Sequence, residues 1–598
     1  MGDIGKTTLA KKVYNCEEVK RHFDCRAWAY VSQDYGVKDV FKRLIKEVKP
    51  NLSTEELQEM EMFSEVYLEE KLRELLKDRT YLVVLDDIWD LEAWESLNRA
   101  FPDANKKGRV ILATRNKKVA KESVVIHQLQ TLNQTESWEL FIAKAFGNDG
   151  CPANLEESGK EMVQKCDGLP LAITILAGLL RGKSPQEWFT VRDRIVQQQL
   201  MMKVEGKTNI EKIMSLSYNA LPYQLKACYL YIGLFPEDYE IEAEVLIRLW
   251  IAEGFIRCER DDTLLEDVAS AYLDELIDRN MLQVARKDDL GNVCSCRIHD
   301  LLREFYISKG RGENFLDYYA RSASCPSSSS SSNTTMASSS SVCISRRYAI
   351  HSGIGRYDFS NNLSNSHLRT LLLFNRNRGE SLQQQQLESI SNIRLLRVLD
   401  LSNVDLSSSM NRLPDAFGKL IRLRYLRLCY THAKLPSSIE RLQSLQTLDL
   451  GWSPTSHWSD IAIGALSKLT QLRHLFLSVS YWNGLDREVV NNLPRIDTLT
   501  NLQTLRSVNA LVWKQNEITN LINLRDLEIF GIETSDVGWL LLSIAKLNKI
   551  QSLQLQLSNN ESTEKYGFPT LVPLSYCHHL RDLILWGKIE RLPRKSVP

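Results

Sequence analysis

Apolar residues change their spacing twice along this chain. Up to about residue 115, short continuous apolar runs alternate with charged stretches. The runs are Ala27-Trp28-Ala29-Tyr30-Val31, Tyr81-Leu82-Val83-Val84-Leu85 and Val110-Ile111-Leu112-Ala113. Runs of this length predict strands buried on both faces, and the helix-forming segments between them predict a parallel α/β sheet. From about Leu132 to Tyr319 the spacing turns helical, as in Trp138, Leu140, Phe141 and Ala145, or Leu246, Leu249, Trp250 and Phe255. Gly168-Leu169-Pro170, Leu221-Pro222 and Phe235-Pro236 divide it into small helical units.

The third pattern is a repeat. Leu-x-x-Leu-x-Leu recurs at Leu396, Leu423, Leu445 and Leu472, and less regularly from Leu502, Leu524, Ile550 and Leu580. The first positions fall about 26 residues apart, inside the ~20–29-residue window of leucine-rich repeats. A helical bundle has no reason to keep this signature, whereas stacked strands would bury its leucines in one continuous core. Between the helical and repetitive regions, 12 of the 20 residues 322–341 are serine. Such a run cannot offset its ordering entropy by burial, which predicts a linker or loop.

Composition narrows the function classes. The chain has 598 residues, with 75 Lys+Arg against 75 Asp+Glu and 43% hydrophobic residues. The length predicts about three to five folding units. A zero formal charge gives no polyanion signal over the whole chain and no direct nucleic-acid signal. The longest apolar stretch, 169–180, is shorter than the ~20 residues a membrane span needs. The N-terminus has no leader pattern. The 12 cysteines have no repeating spacing. Cys294, Cys296 and His299 lack a fourth short-range metal ligand, so reduced thiols are expected.

Three segments carry phosphate chemistry. Gly2-Asp3-Ile4-Gly5-Lys6-Thr7-Thr8 reads as the end of a P-loop. Its glycines, Gly2 and Gly5, let backbone N–H groups cradle phosphates. Lys6 balances phosphate charge, Thr7 offers a hydroxyl to Mg²⁺, and Thr8 completes the motif. The motif's first glycine would precede Met1, so the N-terminus is expected to be truncated, without the strand that feeds the loop. Downstream, an apolar run ends in Asp86-Asp87, the form of a Walker B strand. Asp86 would serve the metal and Asp87 would orient or activate a water. A third strand ends in Thr114-Arg115, where a cation could sense the γ-phosphate.

With these segments in order, the chain resembles the plant NB-LRR disease-resistance proteins. It is most similar to the non-TIR, coiled-coil-type class and its downy-mildew-resistance-like branch. The resemblance rests also on Phe23 to Ser32, Leu85-Asp86-Asp87-Ile88-Trp89, Gly108 to Arg115 and Cys166-Asp167-Gly168-Leu169-Pro170-Leu171-Ala172. It extends to Cys228-Tyr229-Leu230, Phe235-Pro236-Glu237-Asp238 and Ile298-His299-Asp300-Leu301. It implies a P-loop NTPase domain at 1–130, a helical domain at 131–205 and a winged-helix domain at 206–315. A Ser-rich linker or loop at 316–345 and leucine-rich repeats at 346–598 would follow.

The implied function is an ADP/ATP switch, at most a slow ATPase. ADP would hold it closed, and exchange for ATP would open it for homo-oligomerisation and defence signalling. By resemblance, Pro170 would pack on adenine and His299 would reach the ADP β-phosphate. The compartment implied is cytoplasmic, or peripheral at the plasma membrane. On the repeats, Tyr425, Arg427, His474, Phe476, Glu528, Phe530 and Trp586 are expected on the concave face. Their occupant is a pathogen effector, a guarded host protein or the chain's own nucleotide-binding region. The competing reading is a repeat-based scaffold with a degenerate, non-binding P-loop. A turnover ATPase motor is a third, and would need steady hydrolysis.

Overall fold

Each early apolar run becomes a strand of one parallel sheet in a computed structural model of the chain: Cys25–Tyr30 (β1), Tyr81–Ile88 (β2) and Gly108–Thr114 (β3), in the order β1-β2-β3. Both faces of this sheet are covered, as the unbroken runs predict. Ala27, Ala29, Val83 and Leu85 pack with Phe41, Leu44 and Ile45 of the Val37–Val48 helix and Leu68, Leu72 and Leu76 of the Glu65–Leu76 helix. On the other face, Trp28 and Val84 meet Ala10 of the Lys6–Tyr14 helix.

The structure describes residues 4–589 apart from 32–35, 51, 53–55, 57–59, 61–62, 103–107, 124, 202–207, 259–262, 321–344, 363–366, 376–380, 407–411, 432–433, 452–462, 479–494, 515–517, 559–566 and 569–570. The serine-rich stretch 322–341 and Gly2 lie outside the described residues. Two compact units emerge, essentially Met1–Glu244 with Asp267–Lys309, and Val245–Glu266 with Gly310–Arg321 and Ser328–Pro598.

The first unit continues through helices such as Gln134–Ala145, Ala153–Gln164 and the apolar Pro170–Leu180, nine of whose residues are buried. Here the structure departs from the helical pattern. Ile241–Glu242 (β4), Gln283–Lys287 (β5) and Val293–Arg297 (β6) form an antiparallel sheet in the order β4-β6-β5. These strands are too short for their alternation to stand out against the flanking helical periodicity. They supply the wing that the family resemblance implied.

The second unit is the leucine-rich solenoid, built on one eleven-stranded sheet. It starts with Asp317–Tyr319 (β7), Arg347–Ile350 (β8) and Thr370–Leu373 (β9), before the first repeat counted from Leu396. Val398–Asp400 (β10), Tyr425–Arg427 (β11), Thr447–Asp449 (β12) and His474–Phe476 (β13) follow. Next come Thr504–Asn509 (β14), Asp526–Ile532 (β15) and Ser552–Leu557 (β16). A small pair, Gly567–Phe568 (β17) with Lys588–Ile589 (β19), flanks the edge strand Asp582–Trp586 (β18). Strand pairing aligns Leu371, Leu399, Leu426, Leu448, Leu475 and Leu505 in one register. All six are fully buried, which is the stacked core predicted from their spacing.

Candidate functional site

Gly5 opens the Lys6–Tyr14 helix with φ 90, in the left-handed region. A Cβ there would meet nothing within 4 Å, so the backbone angle, rather than crowding, requires glycine. No side chain caps this N-terminus. Its first N–H groups are therefore available to an anion, assisted by the positive end of the helix dipole. Lys6 and Thr7 sit half-buried on the first turn, and Thr8 is exposed.

The Thr7 hydroxyl donates to Asp86 Oδ1 at 3.1 Å, across 79 residues of sequence. Asp86 is 1% exposed, and its Oδ2 is buried without a hydrogen-bond partner among the described residues. Burial pushes its carboxyl up to about 6, against the Thr7 hydrogen bond that pulls it down, while neighbouring Asp87 raises it further. A buried, half-satisfied carboxylate beside a threonine hydroxyl is a donor set suited to a hard divalent cation. These residues therefore fit the Mg²⁺ and phosphate groups that the P-loop sequence implies.

Asp87 takes a different direction. Its φ is 59, and the β2–β3 pairing shifts register between Leu85 and Ile88. The irregularity aims Asp87 away from the regular alternation of the strand. Its carboxylate lies 3.5 Å from Arg115 Nε, and Arg115 Nη2 lies 2.6 Å from Asp300 Oδ2. The Arg115 guanidinium also stacks over Trp89, 5.0 Å from the ring centroid. Burial raises the Asp87 pKa, while Arg115, Lys6 and His299 lower it.

Sequence reasoning missed the acidic company around this pair. Ligand oxygens of Asp87, Glu237 and Asp300 lie within 4.8 Å of one another. Burial, then the charges of Asp300 and Asp238, push Glu237 up to about 8. Burial, then Asp300 and Asp87, push Asp238 to about 7. Glu237-Asp238 and Asp300 stand inside recognised motifs, but nothing in their local sequence tells that the chain folds them onto Asp87.

The remaining predicted residues are placed as follows. His299 is half-buried, and its carbonyl accepts from Arg303 N at 2.9 Å as the Asp300–Gly312 helix begins. Pro170 is the first residue of the Pro170–Leu180 helix. The turn before it needs Gly168, whose φ is 68 and where a Cβ would come within 2.2 Å of Leu132 O.

The repeat face is partly covered from within its own unit. The segment Val245–Glu266 supplies the cover. Arg248 lies over the Phe476 ring at 4.7 Å. Glu253 pairs with Arg347 at 2.8 Å and accepts from the Thr370 hydroxyl. Glu266 accepts from Arg473 Nε at 2.9 Å and meets His474 Nε2 at 3.1 Å. Thr370, Val398, Tyr425, Thr447, His474 and Thr504 are each at most 7% exposed. Of the face residues predicted to bind, Tyr425 and His474 are thus buried, and Arg427 lies between Asp400 and Asp449 at 3.7 and 3.2 Å. Phe530 is also buried, Glu528 is half-buried, and Trp586 is 46% exposed.

Comparison with known proteins agrees with this layout. Residues 1–151 match the NB-ARC domain, 234–306 the disease resistance protein winged helix domain, and 367–596 the leucine-rich repeat region. The disease resistance RPP13-like protein 3 of Arabidopsis thaliana is 38% identical over 99% of this chain and 68% of its own length. The chain belongs to the NB-ARC leucine-rich-repeat disease-resistance proteins. Two further relatives of this family, both from Arabidopsis thaliana, are the disease resistance protein RPP13 and the disease resistance RPP8-like protein 3. RPP13 is 39% identical over 96% of this chain and 63% of its own length. The RPP8-like protein is 32% identical over 99% of this chain and 63% of its own length. The chain thus spans about two thirds of the length of these family members. No helix among the described residues is long and apolar enough to cross a membrane.

Proposed function

We propose that this chain is a nucleotide-operated switch of plant immunity, closed with ADP and opened by exchange for ATP. Bound nucleotide supplies the phosphate charge that a switch must read. The chain's own residues do the reading. Gly5, Lys6 and Thr8 hold the phosphates, Thr7 and Asp86 hold Mg²⁺, and Pro170 supports the adenine. His299 contacts the β-phosphate, and Asp87 orients water in a slow hydrolysis.

The observation that carries this reading is Arg115. It joins Asp87 at the end of the P-loop sheet to Asp300 at the start of the helix after the wing. A cation shared in this way couples the charge at the nucleotide site to the position of the winged-helix residues, because any new anion competes with both carboxylates for the guanidinium. Exchange would then permit self-association, with an effector or guarded host protein acting through the repeats.

Mass-spectrometric identification of nucleotide released from the purified chain tests the proposal. Stoichiometric ADP, lost in Lys6→Ala, is expected. A nucleotide-free wild type that takes up neither ADP nor ATP would sink the switch in favour of a repeat scaffold.

A further inference from the structure

The segments that link the repeat strands change character along the solenoid. Between β10 and β12 the short helices Asp415–Lys419 and Ser437–Arg441 show water polar side chains, Asp415 and Lys419 on the first, Ser437 and Arg441 on the second. Between β15 and β16 the Val537–Ile544 helix carries a single polar side chain, Ser543. A helix apolar all round belongs inside a core. This one is covered on one side only. Val537, Leu540, Leu541 and Ile544 join the leucine core, while Trp539 and Leu542, three residues apart, share the outer side. The next linking element, Val572–Tyr576, repeats the arrangement, with Leu574 buried and Val572 and Tyr576 outside. Trp539, Leu542, Val572 and Tyr576 are 42%, 58%, 56% and 64% exposed, more than an apolar side chain gains from water.

Both elements are fixed from beneath. Trp513 Nε1 donates to Ser543 Oγ at 3.0 Å, and Cys577 Sγ donates to the Ile544 carbonyl at 3.9 Å. The second contact sets the two exposed pairs side by side. The charge around them has one sign. Asp536 is the only carboxylate in residues 536–558 and 571–580, and Lys514 neutralises it at 2.8 Å. Lys546 and Lys549 are exposed and form no ion pair among the described residues. Lys549 Nζ donates to Asn523 Oδ1 at 2.9 Å, which holds it at the margin of the patch. Ser552 pairs with Asp582, so His579 stands on the rung beside Lys549, next to the exposed His578.

We propose that the outer face formed by Trp539, Leu542, Val572 and Tyr576 docks on an anionic lipid surface, with Lys546 and Lys549 meeting the headgroups. Trp and Tyr settle at the boundary of water and lipid, because each joins an apolar body to a polar tip. Leu542 and Val572 add apolar area, and the lysines beside them draw an anionic leaflet. A protein partner matches less well. Its anchors fill pockets shaped to them, whereas these four side chains project from the far side of elements whose inner side is the core. A fluid bilayer conforms to projecting groups without a matching cavity. Four half-exposed side chains and two lysines give weak, reversible attachment, since stable anchoring takes stronger signals. The face belongs to the repeats, so docking does not rest on the nucleotide switch.

Co-sedimentation of the full chain with vesicles tests this, using phosphatidylcholine alone and equal parts phosphatidylcholine and phosphatidylserine. Binding to the mixed vesicles is expected, weaker on the neutral ones and in high salt. Trp539→Ser/Leu542→Ser should reduce it by at least ~10-fold, through the apolar area withdrawn from lipid. Lys546→Gln/Lys549→Gln should lower binding to the mixed vesicles by about 10-fold and leave the neutral ones unchanged. Asp415→Ser/Lys419→Ser, on the polar stretch, should alter neither. Tyr576→Ser alone should give a partial loss if the Trp539 and Leu542 variant does not fold. Brominated phosphatidylcholine places the contact: it should quench part of the tryptophan fluorescence, and Trp539→Phe should remove that part. Absence of sedimentation with both vesicles, binding indifferent to the Trp539 and Leu542 changes, or quenching that survives Trp539→Phe would overturn the proposal. So would self-association in sedimentation velocity that Trp539→Ser/Leu542→Ser abolishes while vesicles bind nothing, which assigns the face to a second copy of the chain.

Discussion

Arg115 and Asp300 meet at 2.6 Å although 185 residues separate them in sequence. Their side chains are 22% and 14% exposed, so water screens the pair only in part. Replacing Arg115 with Gln leaves Asp87 and Asp300 without their shared cation. A loss of about 1–3 kcal/mol is expected, below the full penalty of a wholly buried pair. Asp300→Asn should cost less, because Arg115 keeps Asp87. Urea denaturation of both single variants and the double variant measures it. Additive single effects would show that the two residues are not coupled.

The carboxyls around that pair set a pH dependence. Glu237 and Asp238 titrate near 8 and 7 in the fold, well above their ordinary values of 4.5 and 3.8. Between those limits the folded chain holds protons that the unfolded chain has released. Stability contributed by these groups is therefore fully present below about pH 4 and declines as pH rises toward 8. Glu237→Gln should flatten the decline. Melting temperatures taken at intervals from pH 5.5 to 8.5 check this, and a wild-type profile that rises over that interval contradicts it.

Asp86 should govern metal dependence without governing the fold. Its Oδ2 has no hydrogen-bond partner among the described residues, so Asp86→Asn removes a buried charge and keeps the bond from Thr7. The variant is expected to be as stable as the wild type or more so, since deletion of an unpaired buried charge relieves desolvation. Nucleotide affinity measured by fluorescence titration should lose its response to added Mg²⁺. An unchanged response would take Asp86 out of the metal site.

Glu253 and Arg347 form a far drier pair, at 0% and 5% exposure. Glu253→Gln should destabilise the repeat unit by about 3–5 kcal/mol, since it strands Arg347 between Phe255 and Phe315. Leu426→Ala, in the stacked core, should cost about 2–5 kcal/mol through lost burial and a cavity. Ile584→Ala, 43% exposed on β18, should change stability by under about 0.5 kcal/mol. Thermal and denaturant unfolding of the three variants gives the order.

What the sequence made legible is what repeats or runs unbroken. Leu399, Leu426, Leu448 and Leu475 are fixed by a period, and the Val83-Val84-Leu85-Asp86 run by burial on both faces. The same signature exists at Leu368, Leu371 and Leu373, yet the count from Leu396 leaves it out, and β9 is where it falls. The short wing strands around Ser295 carry too few residues for a period. Long-range choices were not legible at all. That Glu237 and Asp300 gather on Asp87, or that Glu253 and Glu266 lie against Arg347 and His474, depends on where distant segments fold. Each of those residues alone looks like an ordinary solvated charge.

The Val245–Glu266 segment leaves a graded latitude for change along the inner surface of the horseshoe. At β8, β9 and β13 an altered side chain must keep faith with Arg248, Glu253 or Glu266, so drift there is penalised by the chain itself. From β15 onward Glu528, Gln554 and Ile584 answer to no such neighbour from that segment among the described contacts. New recognition can therefore be tried at one end of the sheet while the other stays committed to holding the molecule together.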